Sequence, residues 1–359
     1  MIKNKTMKNR KKSQKYKKCS GPITIKNFKK GTPVCCYDRA SRTQLSVLDS
    51  HLHLRPFGGK PIEFKKFLNI LRDSGIIFVQ GEGIGQRLPI NSSCTYYLDC
   101  PGVSVKPSMK SDMYNAQAIL DNDMKDLNIN LSMTFPDLDK PETILDGMRF
   151  LEKEYPGMFR WMGEVNLVKQ AIFKNGHKPV SIDKIKHWKP FMKELYEKKY
   201  PISIHCDIGN DNEQFKYLPL MLEVLKLYPK NKIVWMHLGL SKQLKNVNVK
   251  EHTELLEKLL KENPNLYFDI SWNVLYKQVF YDPVKRAPYI ELINKYPDRF
   301  LPGTDFIAAQ SHTGKNYKSD LKETSSILKE LNDEAFRKIA LGQNYFDLSR
   351  SKYNAPPIC

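Results

Sequence analysis

The alternation of short β-rich segments with longer amphipathic segments is the feature that most constrains how this 359-residue chain can fold. From about residue 44 the alternation runs through eight rounds. Apolar, β-branched stretches of strand length predict strands at 45–51, 75–80, 130–135, 159–165, 201–206, 232–237, 266–270 and 300–304. Amphipathic stretches predict helices at 61–73, 111–126, 140–154, 181–199, 213–227, 251–262, 284–295 and 315–331.

Eight strand–helix rounds in about 300 residues predict an α/β fold, the (β/α)₈ TIM barrel, over residues 41–359. A doubly wound open sheet is the alternative, and it normally carries a Gly-rich phosphate loop after the first strand. Here the first strand runs into Asp49-Ser50-His51-Leu52-His53 instead. The run from Gly81 to Gly85 lacks the spacing of a dinucleotide-binding turn, and we interpret it as a flexible loop.

The net charge of +19 is concentrated at the N-terminus. Residues 1–30 hold twelve Lys and Arg and no Asp or Glu, so the remaining chain, with 46 basic and 39 acidic residues, carries only +7. We therefore predict a disordered basic arm over residues 1–40. An arm that binds nucleic acid or an anionic membrane is the alternative. The hydrophobic share of 41% excludes a wholly disordered protein.

The seven cysteines form no C-x-x-C pair, which gives no support to a zinc ribbon or a thioredoxin-type motif. Reduced thiols in a cytoplasmic protein are the expectation, although Cys94 and Cys100 could pair in an oxidising compartment. The basic N-terminus is followed by no apolar segment of the secretory type, and no window is apolar enough for a membrane span. The sequence does not decide between a monomer and a homo-oligomer.

Imidazole and carboxylate side chains recur at the carboxyl ends of the predicted strands. They are His51 and His53 (strand one), Glu164 (strand four), His205 (strand five), His237 (strand six) and Asp305 (strand eight). In a closed parallel barrel these ends surround one mouth. His51 and His53, two positions apart, face the same side of their strand. These donors predict a site for one or two divalent metal ions, with Zn²⁺ as the leading candidate.

Asp305 can both bind metal and accept a proton from a water whose pKa the ion lowers from 15.7 towards about 7. Substrate contacts are expected from Arg55, two residues past His53, because a guanidinium binds carboxylate or phosphate bidentately. Asp207 is expected to orient His205. Other candidates for the pocket are Arg87 on the loop after strand two, and Trp272, Asn273 and Tyr276 after strand seven.

The strand-end motifs resemble those of the amidohydrolase superfamily of metal-dependent barrels, over about residues 46–348. The resemblance is closest to the amidohydrolase-related branch that includes aminocarboxymuconate-semialdehyde-decarboxylase-like enzymes. The motifs that carry it are Asp49-Ser50-His51-Leu52-His53, Ile204-His205-Cys206-Asp207, Met236-His237-Leu238-Gly239, Pro302-Gly303-Thr304-Asp305 and Ile339-Ala340-Leu341-Gly342-Gln343-Asn344. Their joint order and spacing are more specific than any one of them.

The resemblance implies that His51, His53 and His205 are metal ligands and that Asp305 is a ligand and general base. His237 would be a ligand of a second metal or an electrophile near the reacting oxygen. Glu164 stands where many family members carry a carbamylated Lys. It would either bridge two ions or lie as a polar group beside a single ion.

The leading functional prediction is a metal-dependent hydrolase that uses an activated water on a small amide, ester, lactone or phosphoester. A metal-dependent non-oxidative decarboxylase, with Arg55 holding the carboxylate, is the first alternative. A metal-dependent nuclease is the second, favoured by the basic arm and by Glu164. The expected partner is a small molecule, with nucleic acid as the other candidate.

Overall fold

The computed structural model describes residues 16–31, 33, 35–42, 46–89, 93–94, 96 and 100–359. The predicted barrel is confirmed, and each predicted strand has a counterpart. The strands are β1 (Leu48–His53), β2 (Phe78–Glu82), β3 (Asn128–Met133), β4 (Phe159–Val168), β5 (Ile202–Cys206), β6 (Ile233–Trp235), β7 (Leu266–Asp269), β8 (Phe300–Leu301) and β9 (Phe306–Ile307). All neighbouring pairs among them are parallel.

The eighth barrel strand is split into β8 and β9. β8 pairs with β7, and β9 pairs with β1, so the two pieces connect the ends of the sheet. Between them, Ser50 N–H donates to Pro302 O (3.1 Å) and Asp305 N–H donates to His51 O (2.8 Å). Gly303 allows this close approach, because a Cβ at that position would lie 2.8 Å from the Cβ of His51.

The helices lie outside the strands, and each of the eight predicted helices has a counterpart. In the described residues the longer helices are α1 (Phe64–Asp73), α2 (Lys110–Leu120), α3 (Ile144–Glu154), α4 (Lys189–Lys198), α5 (Leu218–Leu227), α6 (Val249–Glu262), α7 (Pro283–Lys295) and α8 (Gly314–Thr324). Shorter helices at Ile182–Lys186, Asp333–Ile339 and Gln343–Leu348 complete the layer. None of the helices described is long and apolar enough to cross a membrane.

Amphipathic periodicity explains why these helices form where they do. In α1 the buried residues Phe67, Leu68, Ile70 and Leu71 lie on one face, and Glu63 caps the helix by accepting from the N–H groups of its first turn. Every residue of β1 is buried, as expected for a parallel strand covered on both faces. The result is a rigid barrel whose carboxyl-end loops are left to form a site.

The described part of the predicted basic arm is ordered, so the expectation of disorder over residues 1–40 is wrong there. Phe28 is fully buried, and its ring contacts those of Phe78 (4.9 Å) and Phe346 (6.0 Å) between centroids. Burying such a ring stabilises the arm on the barrel by about 2 kcal/mol. Residues 1–15, which hold most of the basic side chains, lie outside the described residues.

Six of the seven cysteines form disulfides, contrary to the expectation of reduced thiols. The pairs are Cys19–Cys35, Cys36–Cys359 and Cys94–Cys100, and Cys206 is the free, buried thiol. Cys36–Cys359 ties the N-terminal arm to the C-terminus across 323 positions. Such cross-links are typical of proteins that fold in an oxidising compartment. The cytoplasmic location, which is predicted because no secretory signal is visible, stays a prediction.

We expect iodoacetamide to modify one cysteine of the denatured, non-reduced chain and all seven after reduction, because six sulfurs are paired. Intact-mass spectrometry of both samples measures this. Cys206→Ser is the control, and it should remove the single site of modification. Seven reactive thiols in freshly purified, non-reduced protein would contradict the pairing and support the cytoplasmic prediction.

Candidate metal centre

The structure brings all six predicted strand-end residues to the barrel mouth. Four histidines and Glu164 are buried, and the Asp305 side chain is 15% exposed. Three groups of these residues have ligand atoms close enough to share an ion: His51–His237–Asp305, His51–His53–Glu164 and Glu164–His205–His237. The positions predicted from separate strands therefore form one continuous centre.

His51, His53 and Asp305 also form a compact set of ligand atoms. The two imidazole Nε2 atoms are 3.3 Å apart, and they lie 3.4 Å (His51) and 3.1 Å (His53) from Asp305 Oδ1. Bonds of about 2.0–2.1 Å to a tetrahedral Zn²⁺ place neighbouring donors roughly 3.3–3.4 Å apart. The three atoms thus have the spacing of one face of such a site.

Hydrogen bonds on the far side of each ring fix its tautomer. His53 Nδ1–H donates to Gly83 O (2.7 Å). Ser271 Oγ donates to Asp269 Oδ1 (2.6 Å), so its oxygen is free to accept from His51 Nδ1–H (2.9 Å). Each Nε2 therefore presents its lone pair to the centre, the arrangement that metal-binding histidines normally have.

Asp269, which the sequence analysis missed, supports two of these histidines. Besides holding Ser271, its Oδ1 accepts from His237 N–H (3.0 Å) and lies 3.3 Å from His237 Nδ1. Burial would raise the pKa of Asp269, but the adjacent His237 and His51 rings hold it far below its ordinary value. Asp269 ends β7, so the strand-end pattern that identified the other acids was also available here.

Glu164 lies between the first set of ligands and a second one. Its Oε1 contacts His205 Nδ1 closely and lies 3.6 Å from His237 Nε2, while its Oε2 is 3.8 Å from His53 Nε2. His205 Nε2 is 2.9 Å from Asp207 Oδ1, so Asp207 orients the ring as predicted. His205 therefore lies between two carboxylates, with Glu164 at Nδ1 and Asp207 at Nε2.

Two more charged residues belong to the centre and were not predicted. Glu82 ends β2, accepts from Glu164 N–H (2.9 Å) and lies 3.6 Å from His51 Nε2. Its Oε1 is buried with no hydrogen-bond partner among the described residues. Lys169 Nζ donates to Glu164 Oε2 (2.9 Å) from the segment after β4. The first two residues of the run that we interpreted as a flexible loop, Gly81 and Glu82, therefore belong to β2, and Glu82 is buried.

The centre attracts positive charge. Burial lowers the pKa of His237, yet hydrogen bonds to Asp269 and Glu164 outweigh burial and raise it to about 9. Burial also raises the pKa of Asp305, and the charge of His51 with the hydrogen bond from His53 outweighs it, leaving the pKa below its ordinary value. A divalent ion would supply this positive charge and displace the protons, so the residues fit a metal site.

Non-glycine residues with positive φ cluster around the centre. They are His237 (55°), Leu238 (57°), Trp272 (79°) and Asp305 (56°). Such conformations cost about 1–3 kcal/mol each and tend to occur at functional sites, where the surrounding structure holds them in place. Here they direct His237 and Asp305 inward and place the Trp272 ring 4.9 Å from that of His237.

Two cavities adjoin the centre. A narrow one at the mouth is lined by Lys169, His205, Asp207, Lys242, Trp272 and Asp305, among others. A larger cavity of about 790 Å³ lies between the segments that follow β2, β3 and β4, and Glu164 forms part of its wall. The centre can therefore be reached by a small molecule from the barrel's carboxyl end.

Several predicted substrate contacts lie elsewhere. Arg55 faces α2, where its Nε donates to Asn115 Oδ1 (3.0 Å) and its Nη2 to Tyr114 O (3.2 Å). Neither Arg55 nor Arg87 lines these two cavities. Tyr276 is buried with its hydroxyl on Thr324 O, and Asn273 begins a short helix, which leaves Trp272 as the predicted wall residue that lines the mouth.

Comparison with known proteins places the chain among related folds. A family model described as amidohydrolase matches residues 134–342. No curated protein sequence matches the chain. Similar solved structures include a protein from Agrobacterium tumefaciens (14% identity, TM-score 0.53, 85% of this chain and 94% of that one). A second is an amidohydrolase from Burkholderia multivorans with bound zinc (11% identity, TM-score 0.51, 85% of this chain and 99% of that one). A third is a dihydroorotase from Campylobacter jejuni (15% identity, TM-score 0.50, 85% of this chain and 83% of that one).

Proposed function

The chain belongs to the amidohydrolase family, whose model covers more than half of it, and from this premise we propose a metal-dependent hydrolase that acts on a small anionic carbonyl compound. The observation that carries the proposal is the triangle of His51 Nε2, His53 Nε2 and Asp305 Oδ1, with sides of 3.1–3.4 Å. His205, His237 and Glu164 would hold a second ion beside it. The zinc bound by the Burkholderia multivorans protein supports the choice of metal.

A divalent ion held there would polarise a substrate oxygen and make hydroxide available near neutral pH. Asp305 is the residue that we assign to proton transfer. Its carboxylate takes the proton of the attacking water and passes it to the leaving nitrogen or oxygen as the bond from that atom to the carbonyl carbon breaks. Ser271 and Asp269 keep His51 and His237 in place throughout.

The charge of the centre favours an anionic substrate. Glu82, Glu164, Asp207, Asp269 and Asp305 supply five carboxylates. Lys169 and Lys242 supply two ammonium groups at the mouth, and two divalent ions would bring the sum to a formal +1 before a bound water loses its proton. A centre that is positive when loaded with metal attracts a carboxylate-bearing molecule more than a neutral one.

Lys242 is the residue that we expect to hold that carboxylate. Its Nζ lies 5.8 Å from the centroid of the Trp272 ring, and it forms no ion pair within the part of the chain that the structure describes. Burial foremost lowers its pKa, as expected for an ammonium that has lost water without gaining a partner. An anion at the mouth would restore the lost interaction.

The test uses zinc-loaded protein and a panel of lactones, amides, esters and phosphoesters, each in a neutral form and in a carboxylate form, together with aromatic acids scored for CO₂ release and single-stranded DNA. We expect hydrolysis of carboxylate-bearing carbonyl compounds. CO₂ release without hydrolysis would replace the proposal by decarboxylation, and cleavage of DNA alone would replace it by nuclease activity.

Lys242→Met should raise KM for the carboxylate forms about tenfold or more while changing kcat little, because a hydrogen bond to a charged group is lost. Lys245→Met removes the same charge from an exposed position on the same loop and is the control. Steady-state kinetics on matched neutral and anionic esters measures the split. An equal KM change for both forms would refute the role of Lys242.

A further inference from the structure

A chain of hydrogen bonds runs through the wall of the larger cavity, and none of its side chains is a metal ligand. Lys169 N–H donates to His177 Nε2 (3.1 Å). Gln86 Nε2 is placed 3.3 Å from His177 Nδ1, and Gln86 Oε1 is placed 3.1 Å from Asn166 Nδ2. The N and O ends of both amides are interchangeable positions that their neighbours must assign. Gln86 and Asn166 also line the narrow gap beside His53 and Glu164.

The backbone fixes the direction of this chain. Lys169 N–H can only donate, so His177 Nε2 carries no proton and a neutral His177 must carry its proton on Nδ1. Burial foremost, followed by the charges of His205 and Lys169, lowers the pKa of His177 to about 4, in agreement with a neutral ring. His177 Nδ1–H therefore needs an acceptor, which is the amide oxygen of Gln86.

The same logic carries the direction to Asn166. An amide side chain can exchange its N and O ends by a half-turn, and its neighbours decide which end faces which. With the Gln86 oxygen on His177, the Gln86 NH₂ faces Asn166, which must offer its oxygen. The other end of the Asn166 amide is buried and has no hydrogen-bond partner among the described residues. In this arrangement, that end is the NH₂ group.

A buried donor left without an acceptor costs about 1–3 kcal/mol, a cost that a bound ligand can remove. We propose that Asn166 donates a hydrogen bond to an oxygen of the substrate, a carbonyl or carboxylate seated beside Glu164. Gln86 and His177 are positioning residues that aim this donor. The substrate contact rests on the proposed function, whereas the direction of the chain does not.

The direction is tested by NMR of the full-length protein labelled with ¹⁵N-histidine. We expect the Nδ1–H tautomer for His177, identified by loss of its resonances in His177→Phe. An Nε2–H tautomer, or a protonated ring at neutral pH, would overturn the proposal. This measurement needs no substrate and no activity.

The contact is tested with two variants that act on the same donor. Asn166→Asp replaces the NH₂ by an oxygen. Gln86→Glu leaves Asn166 in place, but its carboxylate accepts from both neighbours, so the Asn166 amide turns and presents oxygen to the cavity. Both should lower kcat/KM ten- to a hundredfold, mainly through KM. The added charge alone would weaken only the anionic substrates, so both variants are also measured on matched neutral esters, where a merely structural role of Gln86 predicts little change.

Asn130→Asp is the matched control, because this amide bonds Tyr345 away from both cavities and should keep wild-type kinetics. Benzoate is the binding probe. It should shift the Asn166 side-chain amide resonances of the zinc-loaded wild type and leave Gln86→Glu unshifted. If the wild type hydrolyses none of the substrates, the proposed function is refuted, whereas the direction of the hydrogen-bond chain is not affected. Unchanged kcat/KM in both variants, or no benzoate shift in the wild type, defeats the contact.

Discussion

Removal of divalent metal should lower hydrolysis by the wild-type protein at least a thousandfold, and zinc or manganese should restore it. The expected size follows from the chemistry that the ion supplies, since water with a pKa of 15.7 is a poor nucleophile at neutral pH, whereas an ion lowers that value to about 7. Rates are measured after dialysis against dipicolinate and again after metal is added back. Activity that survives full removal would refute the proposed function.

Magnesium is the matched control in this experiment. The centre offers imidazole nitrogens at His51, His53, His205 and His237, and Mg²⁺ binds oxygen donors almost exclusively. Magnesium should therefore restore little activity at concentrations where zinc restores all of it. Full recovery with magnesium would mean that the histidines do not bind the catalytic ion.

Metal removal should leave the fold intact. The rings of His51 and His53 are held by Ser271 and by Gly83 O, and the core beneath them is apolar and closed. We expect an unchanged circular dichroism spectrum, and a melting temperature that rises when zinc is added, because ligand binding to the native state stabilises it. Unfolding on chelation would show that the ions are structural.

The number of ions distinguishes the two roles that the sequence left open for Glu164. Its carboxylate lies between the two sets of histidines, within 4 Å of His53, His205 and His237. We therefore expect two zinc ions per chain by elemental analysis of the loaded protein. Glu164→Gln should reduce this to one, while one ion in the wild type would favour Glu164 as a polar neighbour of a single ion.

The barrel could be predicted from sequence because strand and helix periodicity is local. The six ligand candidates could be found because each lies at or near the carboxyl end of a predicted strand, and the closed barrel places those ends together. Glu82 and Asp269 occupy such strand ends too, but each is flanked by residues that gave no motif. Their role depends on contacts with His51 and His237, which only the folded chain brings within reach.

The contacts of Arg55 and of the N-terminal arm could not be predicted from the pattern of residues at strand ends. Sequence spacing placed Arg55 near the mouth, but its direction depends on α2, whose Asn115 and Tyr114 accept its hydrogen bonds. The arm has the charge of a disordered segment, but buried rings such as Phe28 and a disulfide to the last residue of the chain attach it to the barrel. Neither contact is visible in local composition.

Asp305→Asn should lower kcat by about 10²–10⁴-fold while the zinc content stays at the wild-type level. The amide keeps an oxygen where Oδ1 lies 3.1 Å from His53 Nε2 and 3.4 Å from His51 Nε2, so one ligand atom is retained. It cannot take the proton of the attacking water, and the proton cannot reach the leaving group. The expected loss therefore lies in kcat rather than in KM.

Asp298→Asn is the control, because it makes the same change of charge away from the centre. Asp298 lies before β8 and forms a surface ion pair with Lys338. It should keep wild-type kcat. If Asp305→Asn loses zinc as well as rate, saturating zinc separates the two effects, since a pure ligand defect recovers its rate when the ion is replaced. Wild-type kcat in a zinc-loaded Asp305→Asn protein would move the proton transfer to another group, and His237, whose Nε2 lies 3.9 Å from Asp305 Oδ2, would be the next to test.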